Sequence, residues 1–147
     1  MILATQELGL CRGQVTMVDG AFDPIHPGHI AYIEAAAGLG LPVLCNVSSD
    51  QYVSRKHVPF LSQEERAAII DAVRWVEYTH LSRITTDEVL RLARPRSYAK
   101  GADWRSRLPE KELATCAELG IEVVYLDTVL DSSTAILERY ASREQAR

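Results

Sequence analysis

Short apolar runs alternate along the chain with longer stretches in which apolar and polar positions are mixed. The runs at 15–18, 43–47 and 121–126 are rich in β-branched and aliphatic residues, which is typical of strands that are covered on both faces. Shorter segments at 77–81 and 97–99 have a weaker pattern of the same kind. The chain therefore predicts five strands.

Helical patterns fill the stretches between these strands. Pro27 suits the first turn of a helix that ends at Gly38. Ser62 and Glu65 form a capping-box pair at the start of a helix that runs to about Trp75. Three further helices are predicted, at 86–93, at 109–119 and from 132 onward.

Strands that alternate with helices imply βαβ crossovers and a parallel sheet. The expected fold class is α/β: a single doubly wound Rossmann-like domain with a mainly parallel five-stranded sheet and helices on both faces. Residues 15–147 are expected to form this domain, 1–14 a loose N-terminal arm, and 51–61 a polar, mobile loop. Because ligands bind beyond the carboxyl ends of such strands, four loops are expected to share one cleft: 20–29, 48–66, 100–107 and 127–134.

Length and composition limit the class of protein. The 147 residues, 47% of them hydrophobic, fit one domain with a substantial core. With 16 basic and 20 acidic residues the net charge is −4, which argues against non-specific nucleic-acid binding. Cys11, Cys45 and Cys116 form no disulfide or zinc framework and are expected to be small buried hydrophobes. No signal peptide and no apolar stretch near ~18 residues is present, so we expect a cytoplasmic protein without a membrane partner.

Two histidines, His26 and His29, flank the predicted start of the first helix. Both rings can point to the space above the helix N-terminus, where backbone N–H groups and the helix dipole favour phosphate, and Gly28 between them allows close approach. The ordinary alternative is that one ring caps the helix and the other packs in the core. Asp23 is the one nearby candidate for a third ligand, so zinc is disfavoured and no metal ligand is predicted.

The segment GAFDPIHPGH that holds these histidines resembles the HxGH signature of the nucleotidyltransferase superfamily, which includes cytidylyltransferases and ADP-heptose synthases. Four further segments resemble that family in the right order: VSSDQY, SQEERAAII, YAKGADW and DSSTAI. The resemblance extends over roughly residues 15–140, nearly the full chain.

This resemblance implies transfer of a nucleoside monophosphate from a nucleoside triphosphate, accompanied by Mg²⁺, to a small phosphorylated acceptor, with release of pyrophosphate. It assigns His26 and His29 to the α-phosphate, Lys56 or its neighbour Arg55 to phosphate from the flexible loop, and Arg66 to phosphate or acceptor. The other implied positions are Ala21, Phe22, Asp23, Gly28, Lys100, Gly101, Asp103, Trp104, Ser132, Ser133 and Thr134 for the nucleotide, and Asp50 with Arg55 for the acceptor.

Several of these residues have ordinary alternatives. Lys56 also fits a solvated loop lysine, Arg66 a surface ion pair and Trp104 a core aromatic. The hydroxyls at 132–134 also fit a helix cap. The assignment depends on one geometric condition: the imidazoles at 26 and 29 and the hydroxyls that begin at 132 must face each other across one hollow. His57 and His80 receive no role.

The choice of donor and acceptor depends on two local differences. KGADW resembles the corresponding segment of heptose-phosphate adenylyltransferases, which favours ATP and a phosphorylated sugar or polyol. DTVLD stands where the cytidylyltransferase branch carries RTEG, which disfavours the second hypothesis, CTP with glycerol phosphate or a similar acceptor. A nucleotide-binding regulatory module without turnover is the third. Dimers are common among the relatives, so a homodimer is left open.

Overall fold

Six parallel strands form the centre of the part of the protein that the structure, a computed structural model, describes: residues 1–128 and 133–147. They are β1 (Ile2–Leu3), β2 (Thr16–Gly20), β3 (Val43–Val47), β4 (Val76–Leu81), β5 (Ser97–Gly101) and β6 (Glu122–Leu126). Their order in the sheet is β1-β4-β3-β2-β5-β6, and neighbouring strands run parallel. The predicted α/β class and parallel sheet are confirmed, with β1 as a strand beyond the five that were predicted.

The first fourteen residues pack onto the domain, and the expectation of a loose arm is wrong. Ile2–Leu3 pairs with β4 as the edge strand β1. Thr5–Cys11 forms a 3-10 helix, in which Leu8 and Cys11 are fully buried. A two-residue strand and a single 3-10 helix are too short to produce a recognisable hydrophobic period, so the pattern did not reveal them.

The helices lie on both faces of the sheet. Within the described ranges they are α1 (Pro27–Ala37), α2 (Asp50–Val53), α3 (Gln63–Asp71), α4 (Thr86–Ala93), α5 (Glu110–Leu119) and α6 (Ser133–Gln145). The helix that was expected to reach Trp75 ends at Asp71. The segment expected to be a loop at 51–61 begins inside α2, a short helix whose N-cap Ser49 accepts a hydrogen bond from the backbone of Tyr52.

The sheet separates two apolar cores, because successive side chains of a strand point to opposite faces. Met17 of β2 and Leu44 of β3 belong to the core that includes residues of α4, α5 and the N-terminal 3-10 helix. Their neighbours Val18 and Cys45 face the core formed with α1 and α3. Covering of both faces explains why β3 is almost uniformly apolar and fully buried, and why the first three residues of β2 are buried.

The chain changes direction within the sheet at β2. From β2 it continues to β3 and β4 on one side, and it later returns to place β5 and β6 on the other side. In a doubly wound sheet a crevice opens at this switch point, beyond the carboxyl ends of the two central strands. Gly20 ends β2 and Gly101 ends β5, so the loops that follow these residues border the crevice.

Two further expectations concern the cysteines and membranes. Cys11, Cys45 and Cys116 are free and buried, as predicted, and burial raises the pKa of Cys45 well above its usual value. Among the helices in the described ranges, none has the length and apolar character that crossing a bilayer requires.

Candidate active site

Two adjoining cavities open beyond the carboxyl ends of β2 and β5. The smaller, of about 230 Å³, is bordered by the start of α1 and of α6. The larger, of about 600 Å³, extends across the ends of β3 and β4 towards α4 and α5. Both are lined by Asp19, Gly20, Lys100 and Trp104. A ligand in one cavity therefore lies next to a ligand in the other.

The start of α1 is capped by its own histidines. His26 is the N-cap residue, and its Nδ1 accepts a hydrogen bond from the backbone N–H of Gly28 at 3.1 Å. His29 Nδ1 accepts in turn from the backbone N–H of His26 at 3.3 Å. A ring nitrogen that accepts a hydrogen bond carries no proton, so the proton of each neutral imidazole is on Nε2. Each ring therefore caps the helix through Nδ1, and a contact of either ring with phosphate stays a prediction.

His29 stays uncharged over the whole neutral range. Its ring is stacked on that of His26, with the centroids 3.8 Å apart and an interplanar angle of 28°. Burial, and then the neighbouring His26, lower the pKa of His29 from its usual 6.5 to about 3. A phosphate in the smaller cavity, which both rings line, would therefore meet hydrogen-bond donors and the positive end of α1.

Phe22 supports His29 from the other side. Its ring lies edge-on to His29 with the centroids 5.0 Å apart, and it is almost fully buried. The backbone of Phe22 has φ +52°, a left-handed conformation that is uncommon for a bulky residue. Gly20 leaves room for this turn, because a Cβ on Gly20 would lie 3.1 Å from the Phe22 ring. Phe22 lines the smaller cavity, where the sequence predicted it.

The first residue of α6, Ser133, faces the same cavity as the two histidines. Its Oγ donates a hydrogen bond to the carbonyl oxygen of Pro24 at 3.0 Å, which joins α6 to the loop that leads into α1. Thr134 is exposed and does not line either cavity. Ser132 lies outside the described residues. The condition that the imidazoles and the hydroxyl segment share one hollow is therefore met at Ser133.

Lys100 and Trp104 form the wall between the two cavities. Lys100 Nζ lies 2.6 Å from Asp19 Oδ1 and 4.2 Å from the centre of the Trp104 ring, and its side chain is almost fully buried. Gly101 and Asp103 line the smaller cavity beside them. Because a buried ammonium is stable only with a partner, the carboxylate of Asp19 holds the cation at the boundary of both cavities.

Arg55 and Lys56 line the larger cavity. Both are exposed, and each lies near the ring of Tyr52, with Arg55 Cζ 5.8 Å and Lys56 Nζ 5.9 Å from its centre. The two side chains therefore border the larger cavity from the segment that follows α2. Their contact with phosphate stays a prediction.

The side chain of Arg66 is buried, whereas the ordinary alternative from the sequence was an exposed arginine. Its side chain is fully buried, not a surface ion pair with Glu65. Nη1 donates to the carbonyl oxygens of Ala21 and Ser48, Nε donates to that of Leu61, and Nη2 lies 2.7 Å from Asp50 Oδ1. To reach a phosphate the guanidinium would have to leave these partners, so its geometry favours a positioning role.

Asp23 and Asp50 also act as anchors in this structure. The carboxylate of Asp23 is buried and accepts hydrogen bonds from the backbone N–H groups of Phe60 and Leu61, at 2.8 and 2.9 Å. Asp50 is bound to Arg66, and neither aspartate lines the cavities. Ala21 lines the larger cavity, and Gly28 the smaller. The aspartates thus hold the segments around the cleft, and contact with a ligand stays a prediction for each.

Polar residues of the cleft that the sequence interpretation missed include Asp19, Asn46, Tyr98 and Glu112. Asn46 lines the larger cavity, and its Oδ1 is 2.8 Å from Nδ1 of the buried His80. Tyr98 and Glu112 border the Asp19–Lys100 pair. Asn46 and Tyr98 lie in the buried strands β3 and β5. The one feature of the sequence that could have pointed to them is a polar group within an otherwise apolar run. Glu112 lies in a helix with no motif.

The described residues contain no cluster of three or more His, Cys, Asp and Glu side chains that could hold a metal ion. The N–H groups at the start of α1 and the cations of Arg55, Lys56 and Lys100 suit phosphate oxygens. Four carboxylates also line the larger cavity: Asp19, Asp87, Glu88 and Glu112. The Mg²⁺ that the resemblance implies stays a prediction.

Comparisons with known proteins agree with this geometry. A family model described as cytidylyltransferase-like matches residues 17–139. Bifunctional protein HldE of Gluconobacter oxydans is 33% identical over 133 residues, which are 86% of this chain and 27% of that protein. FAD synthase of Methanothrix thermoacetophila is 33% identical over 95 residues, 63% of this chain and 66% of that protein.

A solved structure shares the fold. The lipopolysaccharide core biosynthesis protein of Thermoplasma volcanium has a TM-score of 0.68 at 24% identity, and the match covers 78% of this chain and 97% of that one. The chain spans about a quarter of the length of the HldE relative, so the likeness concerns one part of that protein. Because the family match includes β2, the histidine-capped α1 and the start of α6, the chain belongs to the cytidylyltransferase-like family.

Proposed function

We propose that this chain is a nucleotidyltransferase that transfers AMP from ATP to the phosphate of a small phosphorylated sugar or polyol and releases pyrophosphate. The observation that carries the proposal is the pair of stacked imidazoles at the start of α1, each fixed by a hydrogen bond that its Nδ1 accepts from the backbone. Family membership supports the same chemistry.

In the proposed reaction the nucleotide occupies the smaller cavity. The Nε2–H groups of His26 and His29 donate to the oxygens of the α-phosphate, where negative charge increases as the fifth oxygen approaches phosphorus. Neutral, preorganised donors stabilise this charge without a proton transfer. The β- and γ-phosphates extend towards Ser133 at the start of α6, where helix N–H groups favour anions.

The acceptor attacks from the larger cavity. One of its phosphate oxygens forms a bond to the α-phosphorus, the bond between that phosphorus and the bridging oxygen to the β-phosphate breaks, and pyrophosphate leaves with the electron pair. Lys100 lies at the boundary that both cavities share, so its ammonium can contact the reacting phosphates. If Mg²⁺ accompanies the triphosphate, it would supply charge neutralisation for the leaving group. No covalent intermediate with the protein is required.

Two observations support ATP as the donor. The segment KGADW borders the smaller cavity through Lys100, Gly101, Asp103 and Trp104, which is where a base would lie beside an aromatic ring. One curated relative is named a FAD synthase, and FAD contains an adenylate unit. CTP is the alternative donor, and it becomes the better assignment if the chain prefers a pyrimidine nucleotide.

The lining of the larger cavity supports a sugar or polyol phosphate as the acceptor. The residues that line it include Asn46, Ser48 and Ser82, which carry amide and hydroxyl groups, and the cationic Arg55 and Lys56. Such a surface matches many hydroxyl groups and one phosphate. A volume of about 600 Å³ is large enough for an acceptor of this kind.

The proposal is tested by a matrix of ATP, CTP, GTP and UTP against phosphorylated acceptors, with magnesium and with pyrophosphate release as the readout. The acceptors are glycerol 3-phosphate, hexose 1-phosphates, phosphoethanolamine and flavin mononucleotide. We expect turnover with ATP and a sugar or polyol phosphate. Turnover with CTP alone would move the assignment to a cytidylyltransferase, and nucleotide binding without turnover on any acceptor would support a regulatory module.

A further inference from the structure

A single phenol lies between two carboxylates at the wall of the larger cavity. Tyr98 Oη is 2.9 Å from Asp19 Oδ2 and 3.3 Å from Glu112 Oε2. Asp19 and Glu112 both line the larger cavity, whereas Tyr98 is fully buried behind them. The three groups come from β2, β5 and α5, so the fold and not the local sequence brings them together.

The number of protons in this cluster determines its charges. The Tyr98 hydroxyl has one proton and can donate it in a straight hydrogen bond to one carboxylate. The shorter contact goes to Asp19, which also binds the ammonium of Lys100 at 2.6 Å. An ionised Glu112 would then face the oxygen of Tyr98 with no proton between them. A protonated Glu112 donates to that oxygen and completes the chain Lys100–Asp19–Tyr98–Glu112.

The surroundings of Glu112 also favour its protonated, uncharged form. Burial is the main cause that raises its pKa, followed by the charge of Asp19, and Asp87 of α4 adds to this. Lys100 and the Tyr98 hydrogen bond act in the opposite direction, and the result is a pKa of about 7. Lys111, the neighbour of Glu112 on α5, is bound to Asp87 at 3.2 Å.

We propose that Glu112 is a specificity residue for the acceptor, which it meets as an uncharged carboxyl. Its Oε2–H donates to Tyr98, and its Oε1 accepts a hydrogen bond from a hydroxyl group of the acceptor. An uncharged group in this place accepts a polyhydroxylated phosphate, whereas an ionised carboxylate repels the phosphate and attracts an ammonium group. The acceptor class is therefore a hydroxyl-bearing phosphate and not an ammonium-bearing one. This inference rests on the proposed function, since it concerns the acceptor cavity.

The variant Glu112→Gln isolates this role. A glutamine amide can donate to Tyr98 and accept from the acceptor, and it never becomes charged. Glu110→Gln on the exposed first turn of the same helix is the matched control. Glutamate and glutamine have nearly the same volume, so both variants should fold, which their unfolding midpoints in urea check.

The experiment measures binding of glycerol 3-phosphate and of phosphoethanolamine by calorimetry, and their KM in pyrophosphate release, from pH 6 to 8.5. We expect the Kd and KM of glycerol 3-phosphate to rise about tenfold with pH in the wild type and in Glu110→Gln, relative to Glu112→Gln. Phosphoethanolamine should bind more weakly than glycerol 3-phosphate at pH 6. Carboxyl ¹³C NMR should show a resonance that titrates near 7 and is absent from Glu112→Gln.

The outcomes separate the inference from the proposed function. Turnover with the same pH dependence in wild type and Glu112→Gln, or a preference for phosphoethanolamine at pH 6, overturns the inference and leaves the function in place. The predicted pH dependence of glycerol 3-phosphate binding without any pyrophosphate release overturns the function and supports the site. If neither phosphate binds, the inference is overturned, whereas the proposed function is decided by the full acceptor matrix.

Discussion

Arg66 Nη2 and Asp50 Oδ1 lie 2.7 Å apart and join α3 to the start of α2. The same guanidinium binds backbone carbonyl groups that follow β2 and β3, so one buried side chain holds the loops on one side of the cleft. The family resemblance assigns Arg66 to phosphate or acceptor, which stays a prediction, and its contacts make it a support for the loops that border the cleft.

We predict that Arg66→Ala destabilises the protein. The substitution removes a buried side chain, its ion pair with Asp50 and the donors of three partly buried carbonyl groups, and should lower the free energy of unfolding by about 3 kcal/mol or more. Urea denaturation measures the change. Arg74→Ala, in the exposed turn after the same helix, is the control and should change the stability by under ~0.5 kcal/mol. Equal midpoints for the two variants would contradict the role of Arg66 as a support.

The two functions of His26 can be separated by a substitution to asparagine. Asn Oδ1 occupies nearly the position of His Nδ1 and can accept the hydrogen bond from Gly28, but asparagine has no counterpart of Nε2. We predict that His26→Asn is more stable than His26→Ala by about 1 kcal/mol, the value of an N-cap, yet has equally little activity. Full activity of His26→Asn would show that Nε2 makes no contact with the reacting phosphate.

Stability should depend on pH through the two histidines with lowered pKa values. Burial lowers the pKa of His29 to about 3 and that of His80 to about 4, from a usual value of 6.5. Between pH 6.5 and about pH 4 these two histidines bind protons in the unfolded chain but not in the folded one. Their contribution to the free energy of unfolding is therefore fully present above pH 6.5. It decreases on acidification, by on the order of a few kcal/mol.

Urea midpoints measured at pH 7 and pH 5 test this dependence in the Glu112→Gln background, because the raised pKa of Glu112 acts in the opposite direction over the same pH range. Glu112→Gln should lose stability between these pH values, and the double variant with His29→Gln should lose less, because one of the two histidines is gone. A midpoint of Glu112→Gln that does not change from pH 7 to pH 5 would contradict the lowered pKa values of the two rings.

Ser133 should matter for binding of the triphosphate. Ser133→Ala removes the hydrogen bond from Oγ to Pro24 and frees the start of α6 from the loop before α1. We expect the Kd of ATP to rise about fivefold, the equivalent of about 1 kcal/mol. Ser142→Ala in the same helix, whose Oγ donates to Glu138 within that helix, is the matched control. Unchanged ATP affinity of Ser133→Ala would remove Ser133 from the nucleotide site.

The sequence predicted those strands and helices that have a clear pattern of apolar residues or clear start and stop signals. The apolar run at β3 and the proline, capping and glycine signals around α1 and α3 lie where the structure has these elements, and their alternation was enough to predict the parallel sheet. The N-terminal 3-10 helix had no such signal, because its contribution is the burial of Leu8 and Cys11 under other elements.

The site was predicted where a motif carries its chemistry and missed where tertiary contacts do. His26 and His29 are visible in the sequence because one short segment places both rings at a helix start. Glu112 contacts Tyr98, which in turn contacts Asp19, and these residues lie on other elements of the chain, so no local pattern marks Glu112. Arg66 lies within a motif, but only its neighbours show that its side chain points into the protein.

The central claim is that the imidazoles at the start of α1 stabilise the transferred phosphate. It is tested most directly by the rate of pyrophosphate release from ATP and the acceptor that the wild type uses, compared with His29→Ala and with His29→Asn, which can keep the hydrogen bond to the backbone of His26. We predict that both variants fold and that kcat falls by about 100- to 1000-fold. A folded His29→Asn protein with a wild-type rate would contradict the account.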